Sequence, residues 1–380
     1  LNLQITGGSM SVRTSGVFAM RTAGAATRQM LREAAAEAWA VPLAEITTEN
    51  SHLVHAGSNR REPYASFARQ VAEMKPSYTP RLKDPSQYKI VGTHKPRLDI
   101  PAKVDGSAMF ALDVRLPDML YASVTRSPVP GADVVSLDDS AARAMNGVVD
   151  VLRIPRASVN NMLGETLSTE AIAVVADSYW TANEAIKKLK VEWSATGFEN
   201  ISSADIAAQF ERDLTNASER QTDRVQGATE TAFANSARVL EADYHVPFLA
   251  HTCMEPMNAT ADVKADRAEI WVGCQNPLGF RRDVALTLGL DPEKVTLHNY
   301  LMGGGFGRKA RPDYAMQAAF ISRAVNRPVQ LIWSREEDVR QDFYRPAVQS
   351  RFRAAMDANN NLLAWENTYT NKNEPIEAPL

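Results

Sequence analysis

The stretch that most constrains this chain is Tyr300-Leu301-Met302-Gly303-Gly304-Gly305-Phe306-Gly307-Arg308-Lys309. A strand-like apolar run, Val295-Thr296-Leu297-His298, leads into it. A helical pattern follows from about Asp313 to Val325, with Pro312 suited to a first helical turn. Strand, glycine loop and helix is a geometry that turns backbone N–H groups toward an anion. Three consecutive glycines carry no Cβ, so a ligand can lie directly on the main chain. Arg308 and Lys309 add positive charge at the loop exit. The plainer alternative is a tight turn that needs glycine only for positive φ. Neither nucleotide fingerprint fits. A P-loop requires Gly-Lys-Ser/Thr after its spacer, but Gly307 is followed by Arg308, Lys309 and Ala310. A dinucleotide loop counted from Gly303 needs glycine at position 308, which is Arg.

A chain of 380 residues suggests two or three domains and can bury substantial cores. Its 44% hydrophobic and 23% charged content is ordinary for a soluble globular protein, and a net charge of −3 gives no electrostatic case for nucleic acid. Two cysteines, Cys253 and Cys274, exclude a disulfide framework or a Cys₄ metal or iron–sulfur site within the chain. They leave one disulfide or two buried thiols open. No apolar run approaches the length of a membrane span. The first residues, Leu1-Asn2-Leu3-Gln4, and the last, Glu377-Ala378-Pro379-Leu380, lack signal, cap or tail chemistry. The expectation is a piece of a longer polypeptide, against a mature protein trimmed to these ends.

Near the start, Gln4-Ile5-Thr6-Gly7-Gly8-Ser9-Met10-Ser11-Val12 forms a second glycine and hydroxyl loop, suited to phosphate or a pterin-like ring, or simply a flexible turn. A helix is predicted over residues 21–39, stopped by Pro42, then strands over 46–54 and a short helix over 64–74. Five prolines and many charges over residues 75–103 predict an extended linker, or an ordered loop wrapping a neighbour. From Val104 the pattern is α+β. Strands are predicted over 108–114, 120–125, 148–154 and 172–176, helices over 136–144 and 179–188, and a strand over 189–193. Residues 197–230 read as a polar connector with one helix near 204–214.

The run His245 to Pro256 holds His245, His251, Cys253 and Glu255, but its spacing matches no standard zinc pattern. Glu255 is better read as a buried, hydrogen-bonding carboxylate. A hairpin over 259–272 leads into Gly273-Cys274-Gln275-Asn276-Pro277 and a helix over 279–288. Gln275 therefore stands at a strand end before a helix, the edge where α/β folds bind ligands; it could equally be a capping residue.

This order of features resembles the large subunit of the molybdenum hydroxylases, the xanthine dehydrogenase and aldehyde oxidase family. The resemblance rests on Gln275-Asn276-Pro277, on the run from Gly303 to Lys309 and on Met254-Glu255-Pro256. It rests also on Val104-Asp105-Gly106 through Ser123-Val124-Thr125-Arg126-Ser127-Pro128, which looks like the start of an α/β hammerhead domain. The Thr6-Gly7-Gly8-Ser9 loop, ahead of the hammerhead, resembles the rearranged branch typified by the isoquinoline 1-oxidoreductase β subunit. The resemblance spans essentially all of the chain and implies an α+β and α/β architecture. Residues 1–90 would form an N-terminal part of a molybdopterin-binding domain, 91–198 the hammerhead, and 199–380 a further portion of the molybdopterin-binding domain.

It also implies a molybdenum–molybdopterin cytosine dinucleotide and hydroxylation of a small aldehyde or N-heteroaromatic substrate with oxygen from water. Electrons would leave through [2Fe–2S] clusters on an iron–sulfur small subunit, with a cytochrome c a candidate final acceptor. Relatives of this branch often carry an export signal, so the leaning is periplasmic. Gln275 would hydrogen-bond a terminal ligand of the metal. Gly304, Gly305, Phe306, Gly307 and Arg308 would contact the cofactor, the loop through its backbone N–H groups. Gly7, Gly8, Ser9 and Ser11 would clasp the cofactor from another side. Arg345, in Phe343-Tyr344-Arg345-Pro346, would orient substrate, or be a surface arginine. Ala310 stands where purine oxidisers have glutamate, which argues against a purine. The family's catalytic glutamate, in a Gly-Glu-Pro-Gly-like segment, has no counterpart here. No catalytic residue is assigned, and the chain is expected to be inactive alone. The competing expectation is a non-catalytic protein that uses the same loops to bind an anion or cofactor, or in assembly.

Overall fold

The computed structural model describes residues 4–161, 164–216 and 220–372. By internal packing the chain divides into a unit of Thr6–Ala108 and one of Leu1–Ile5 with Met109–Leu380. In the smaller unit the helix is longer than the sequence predicts. Ser11–Met20 winds as a π-helix directly into the α-helix Arg21–Trp39, so Ser11 opens a helix rather than sitting in an extended loop. Ala26, Leu31, Ala34, Ala35 and Trp39 fall on one buried face, the spacing of an amphipathic helix. The helix ends at Ala40 in the left-handed region, its N–H returning to Ala36 and Glu37 carbonyls. A meander of Ile46–Glu49, His52–His55 and Arg60–Pro63 follows. Its first turn places Asn50 and Ser51 both at positive φ, the geometry of a two-residue hairpin. Leu31, Trp39, Ile46, Leu53 and Phe67 close this core, with Trp39 and Phe67 edge-on at 5.7 Å.

Residues 75–103 are almost entirely exposed, as linker composition predicts, but Ile100–Asp105 is a short helix, started by Pro101. The strand predicted over 108–114 is absent. Only Phe110 bridges, to Leu301, and Ala111–Asp113 is a 3-10 turn. The helix predicted over 136–144 forms only over Ser140–Arg143, and its first three positions belong to strand Val134–Asp138. Strand Val134–Asp138 pairs with Lys190–Trp193, a partner more than fifty residues away that local propensity does not register.

The larger unit is built on a mixed seven-stranded sheet. From one edge the order is Val295–Asn299, Ala268–Val272, Asn258–Val263, Val329–Ile332, Leu120–Arg126, Ala171–Ala176 and Val148–Ile154. Strands from both halves of the unit thus share one sheet. Ala171–Ala176 is buried at all six positions, as expected of a strand covered on both faces. Helices Pro277–Leu288 and Asp313–Val325 pack on the sheet through Phe280, Val284, Leu288, Tyr314, Ala318 and Ile321. Ala268–Val272 and Val295–Asn299 are parallel and in register, Val272 opposite Asn299, with Pro277–Leu288 as their crossover. Both strands therefore deliver their C-terminal ends to one edge: Gln275 follows the first and the glycine loop follows the second. A separate three-stranded sheet, Arg238–Val246, Ala347–Met356 and Leu362–Lys372, carries helices Ser203–Thr215 and Thr229–Ala234. Among the described residues no helix is long and apolar enough to cross a membrane.

Because residues 75–103 are mostly exposed and hold Arg81, Lys83, Lys89, Arg97 and Lys103, none of them followed by proline, brief trypsin treatment of the folded chain should cut there first. Mass spectrometry of the first two fragments is the check; a first cut inside Asp313–Val325 would contradict this exposure.

Candidate functional site

Residues 303–307 leave the strand end and close as a tight loop before the 3-10 turn Arg308–Ala310. Glycine is required at Gly303 by close approach, since a Cβ there would lie 2.5 Å from the Glu255 Cβ. At Gly307 a φ of +113° demands it. Phe306 adopts φ +52° with its ring 63% exposed, a left-handed conformation costing about 1–2 kcal/mol in a residue with a Cβ. Strain of this kind at an exposed aromatic is typical of ligand sites.

The donors of the loop divide cleanly. Gly303 N–H donates to Glu255 Oε2 at 2.9 Å, Gly307 N–H to Gln275 Oε1 at 3.0 Å, and Arg308 N–H to the Gly305 carbonyl at 2.8 Å. The N–H groups of Gly304, Gly305 and Phe306 make no hydrogen bond among the described residues. Three successive free donors, two of them on glycines, make a row to which an anion or oxygen atom can bind.

Glu255 holds this surface in shape. Its carboxylate accepts from Lys309 Nζ at 2.5 Å, from Gly303 N–H and, at 3.2 Å, from Leu112 N–H, while its own N–H donates to the Gly303 carbonyl. Burial alone would push this carboxyl up; the Lys309 charge and the hydrogen bonds from Lys309 and Gly303 outweigh it and hold the group below its usual range. Glu255 is thus the buried hydrogen-bonding carboxylate its sequence context suggests.

The charges at the loop exit behave differently from expectation. Arg308 is 1% exposed and pairs bidentately with Asp313 at 2.9 and 2.8 Å; its Nε lies 3.1 Å from Asp342. Its guanidinium lies 5.2 Å from the Trp333 ring centroid and 5.0 Å from that of Phe343. Arg126 covers Trp333 from 4.0 Å and pairs with Glu337 at 2.9 Å. The Arg308 and Lys309 side chains are therefore internal counter-ions to Asp313, Asp342 and Glu255, with neither positive head turned to a ligand.

Gln275 is nearly buried, its N–H donating to the Lys309 carbonyl at 2.9 Å, so that both ends of the residue grip the loop. Tyr314 steadies the preceding strand end through its hydroxyl, which donates to the Gly273 carbonyl at 3.1 Å. Arg345 reaches the site from afar in sequence: its backbone bridges Leu249, and its Nη2 donates to the Phe306 carbonyl at 3.0 Å. The arginine thus touches the loop itself. Gly7, Gly8, Ser9 and Ser11 belong to the other unit. There Gly8 and Ser9 turn at φ +54° and +57°, and Met10 and Arg13 N–H groups return to the Gly7 and Ser9 carbonyls. Sequence reasoning missed the pairing of two residues at the loop. His251 and Asp342, 91 positions apart, form a pair beside Gly307. Cys253 and Cys274 are both free and buried, with the Cys253 thiol against the Gly305 carbonyl.

Comparison with known proteins agrees with this geometry. The model of the molybdopterin cofactor-binding domain matches residues 211–376, and that of the aldehyde oxidase and xanthine dehydrogenase a/b hammerhead domain matches residues 105–196. The chain is 31% identical to isoquinoline 1-oxidoreductase subunit beta of Brevundimonas diminuta, over 93% of this chain and 49% of that protein. It is 33% identical to the membrane-bound aldehyde dehydrogenase [pyrroloquinoline-quinone] of Gluconacetobacter polyoxogenes, over 96% of this chain and 47% of that one. The crystal structure of the aldehyde oxidoreductase from Desulfovibrio desulfuricans superposes with a TM-score of 0.57 at 21% identity, covering 80% of this chain and 37% of that chain. The chain belongs to the molybdenum hydroxylase family. It spans about half the length of the curated relatives named here.

Glu255→Gln leaves the buried Lys309 ammonium without its counter-charge and should cost about 3–5 kcal/mol in denaturant unfolding. The apolar double replacement E255L/K309M should recover most of that. Because the folded Glu255 carboxyl sits below its usual range, its contribution is present at neutral pH and is lost as pH falls through the folded value. The stability gap between wild type and E255L/K309M should accordingly move in favour of the double variant on acidification.

Proposed function

We propose that this chain cradles a molybdenum–molybdopterin cytosine dinucleotide and serves as the catalytic subunit of an enzyme hydroxylating a small aldehyde or N-heteroaromatic compound. The observation that carries the reading is the row of three free N–H donors at Gly304, Gly305 and Phe306, in a domain matched by the molybdopterin-binding model. That surface fits the group: it has donors for oxygen atoms, no Cβ at two of the three donor residues, and a strained exposed aromatic at its edge. When bound, the group supplies redox chemistry that inserts oxygen from water into a C–H bond.

The chain's own residues position and polarise. Gln275, Glu255 and Lys309 keep the donors in place, so they need no rearrangement as negative charge gathers on a bound oxygen. Arg345 holds the Phe306 carbonyl and keeps its other nitrogens at an exposed position, where they can orient a polar substrate. Gly7, Gly8, Ser9 and Ser11 are proposed to meet the cofactor from their own unit. None of the carboxylates around the loop is placed as a general base: Glu255 is tied to Lys309, Asp313 to Arg308, and Asp342 to His251. The chain is therefore proposed to supply the cradle and not the base. With only two cysteines, both buried and unlinked, it also lacks the ligands for a [2Fe–2S] cluster. An iron–sulfur subunit as the electron exit, passing to an acceptor such as a cytochrome c, is part of the same proposal.

The test is metal and nucleotide content of the intact gene product, made in a host that synthesises the cytosine dinucleotide form. Stoichiometric molybdenum by mass spectrometry, with an equal amount of CMP released by acid hydrolysis, is expected. Absence of molybdenum from well-folded protein would sink the reading. Molybdenum with no substrate oxidation, even with an iron–sulfur subunit present, would favour a binding or assembly role.

A further inference from the structure

His251 stands beside the glycine loop without a part in the scheme above. Its backbone N–H and its ring Nδ1 both face the Asp342 carboxylate, Nδ1 at 3.0 and 3.1 Å from the two oxygens. Asp342 is buried and is also met by Arg308 Nε at 3.1 Å. A ring runs from the loop through the Arg308 side chain to Asp342, on to His251, and back to the loop at Gly307. A carboxylate that carries no proton can only accept, so in the neutral ring Nδ1 bears the hydrogen and Nε2 is left as a bare acceptor. The His251 side chain is 9% exposed, and Nε2 makes no hydrogen bond among the described residues. Nε2 lies 3.5 Å from the point a Cβ on Gly307 would occupy, so it fills the space that glycine leaves open. The atom itself keeps contact with solvent at the loop surface, where a bound ligand can replace water as its partner.

We propose that His251 is a positioning residue that reads a hydrogen-bond donor on the group bound at the loop. Three N–H donors alone accept any oxyanion. One acceptor beside them changes the preference: it repels a fully deprotonated anion and favours a lactam-like edge, in which an N–H or O–H neighbours a carbonyl oxygen. Asp342 acts through His251, by holding the ring and its tautomer, and Arg308 by neutralising Asp342. The idea deepens the cofactor reading of the same loop and rests on it for the identity of the ligand.

The test compares wild type, H251Q and H251L in the intact protein. Gln can accept at a similar reach, whereas Leu cannot. Prepared without cofactor, each protein is titrated with a free pterin, which has the lactam edge, and separately with inorganic phosphate. Pterin should bind about tenfold more weakly to H251L, the worth of one buried hydrogen bond, with most of the loss restored in H251Q. Phosphate should bind H251L at least as well as wild type. Prepared with cofactor, H251L should shift the Mo(V) electron paramagnetic resonance g-values, and H251Q should bring them back toward wild type. Equal pterin affinity in all three proteins, or an equal loss for pterin and phosphate, overturns the proposal. Wild-type protein that holds no molybdenum yet still discriminates pterin from phosphate through His251 would refute the cofactor reading and leave this one standing. If H251L does not fold, H251Q against H251M carries the same comparison.

Discussion

One carboxylate ties three distant segments together. Glu255 accepts from Leu112, Gly303 and Lys309 and is shielded from water by all of them. The pair with Lys309 is a buried salt bridge, a device that seldom adds net stability because desolvation opposes the Coulomb attraction. Its value here is specificity. An unpaired ammonium in that interior is so unfavourable that the loop has few alternatives, and the Gly303 N–H is held by the carboxylate while those of its three neighbours make no hydrogen bond among the described residues. The rigidity of the donor row thus comes from charges that never meet the ligand.

A second buried network supports the first. Trp333 is fully buried, with Arg126 and Arg308 over its ring and Asp313, Glu337 and Asp342 as counter-charges. Arg308 is next in the chain to Gly307, and Asp313 opens the helix that packs on the sheet. The helix N-terminus, the loop exit and the far strand are consequently joined by ion pairs that water cannot screen. Such a network is poor at lending bulk stability and good at holding one geometry, which is what a preorganised polar surface needs.

Much of the fold was legible. The helices Arg21–Trp39 and Asp313–Val325, the hairpin ending at Val272 and the strand–loop–helix around residues 303–307 all follow from periodicity, capping residues and glycine placement. Local signals failed where pairing was remote: residues 108–114 look like a strand yet make only the bridge from Phe110 to Leu301, and residues 136–138 look like the start of a helix yet pair with residues 190–192. In the site, Gln275, Gly304, Gly305, Phe306 and Gly307 were nameable because glycine runs and strand ends are local features. The positive charge of Arg308 and Lys309 at the loop exit was also legible, but their burial against Asp313, Asp342 and Glu255 is a property of the whole domain. His251 stood in a run the sequence singled out, but its pairing with Asp342 was silent for the same reason.

By itself the sequence determined which backbone could lie bare. A run of glycines after an apolar strand has no Cβ to cover its amides in any fold. It also determined that the chain holds too few cysteines for an iron–sulfur cluster. Only the tertiary structure decided which amides stay free and which are consumed. That choice depends on where Glu255 and Gln275 arrive in space, and their arrival follows from two parallel strands in register and a salt bridge 54 residues long in sequence. Hydrogen-bond satisfaction is decided by distance in three dimensions, and no local pattern encodes it.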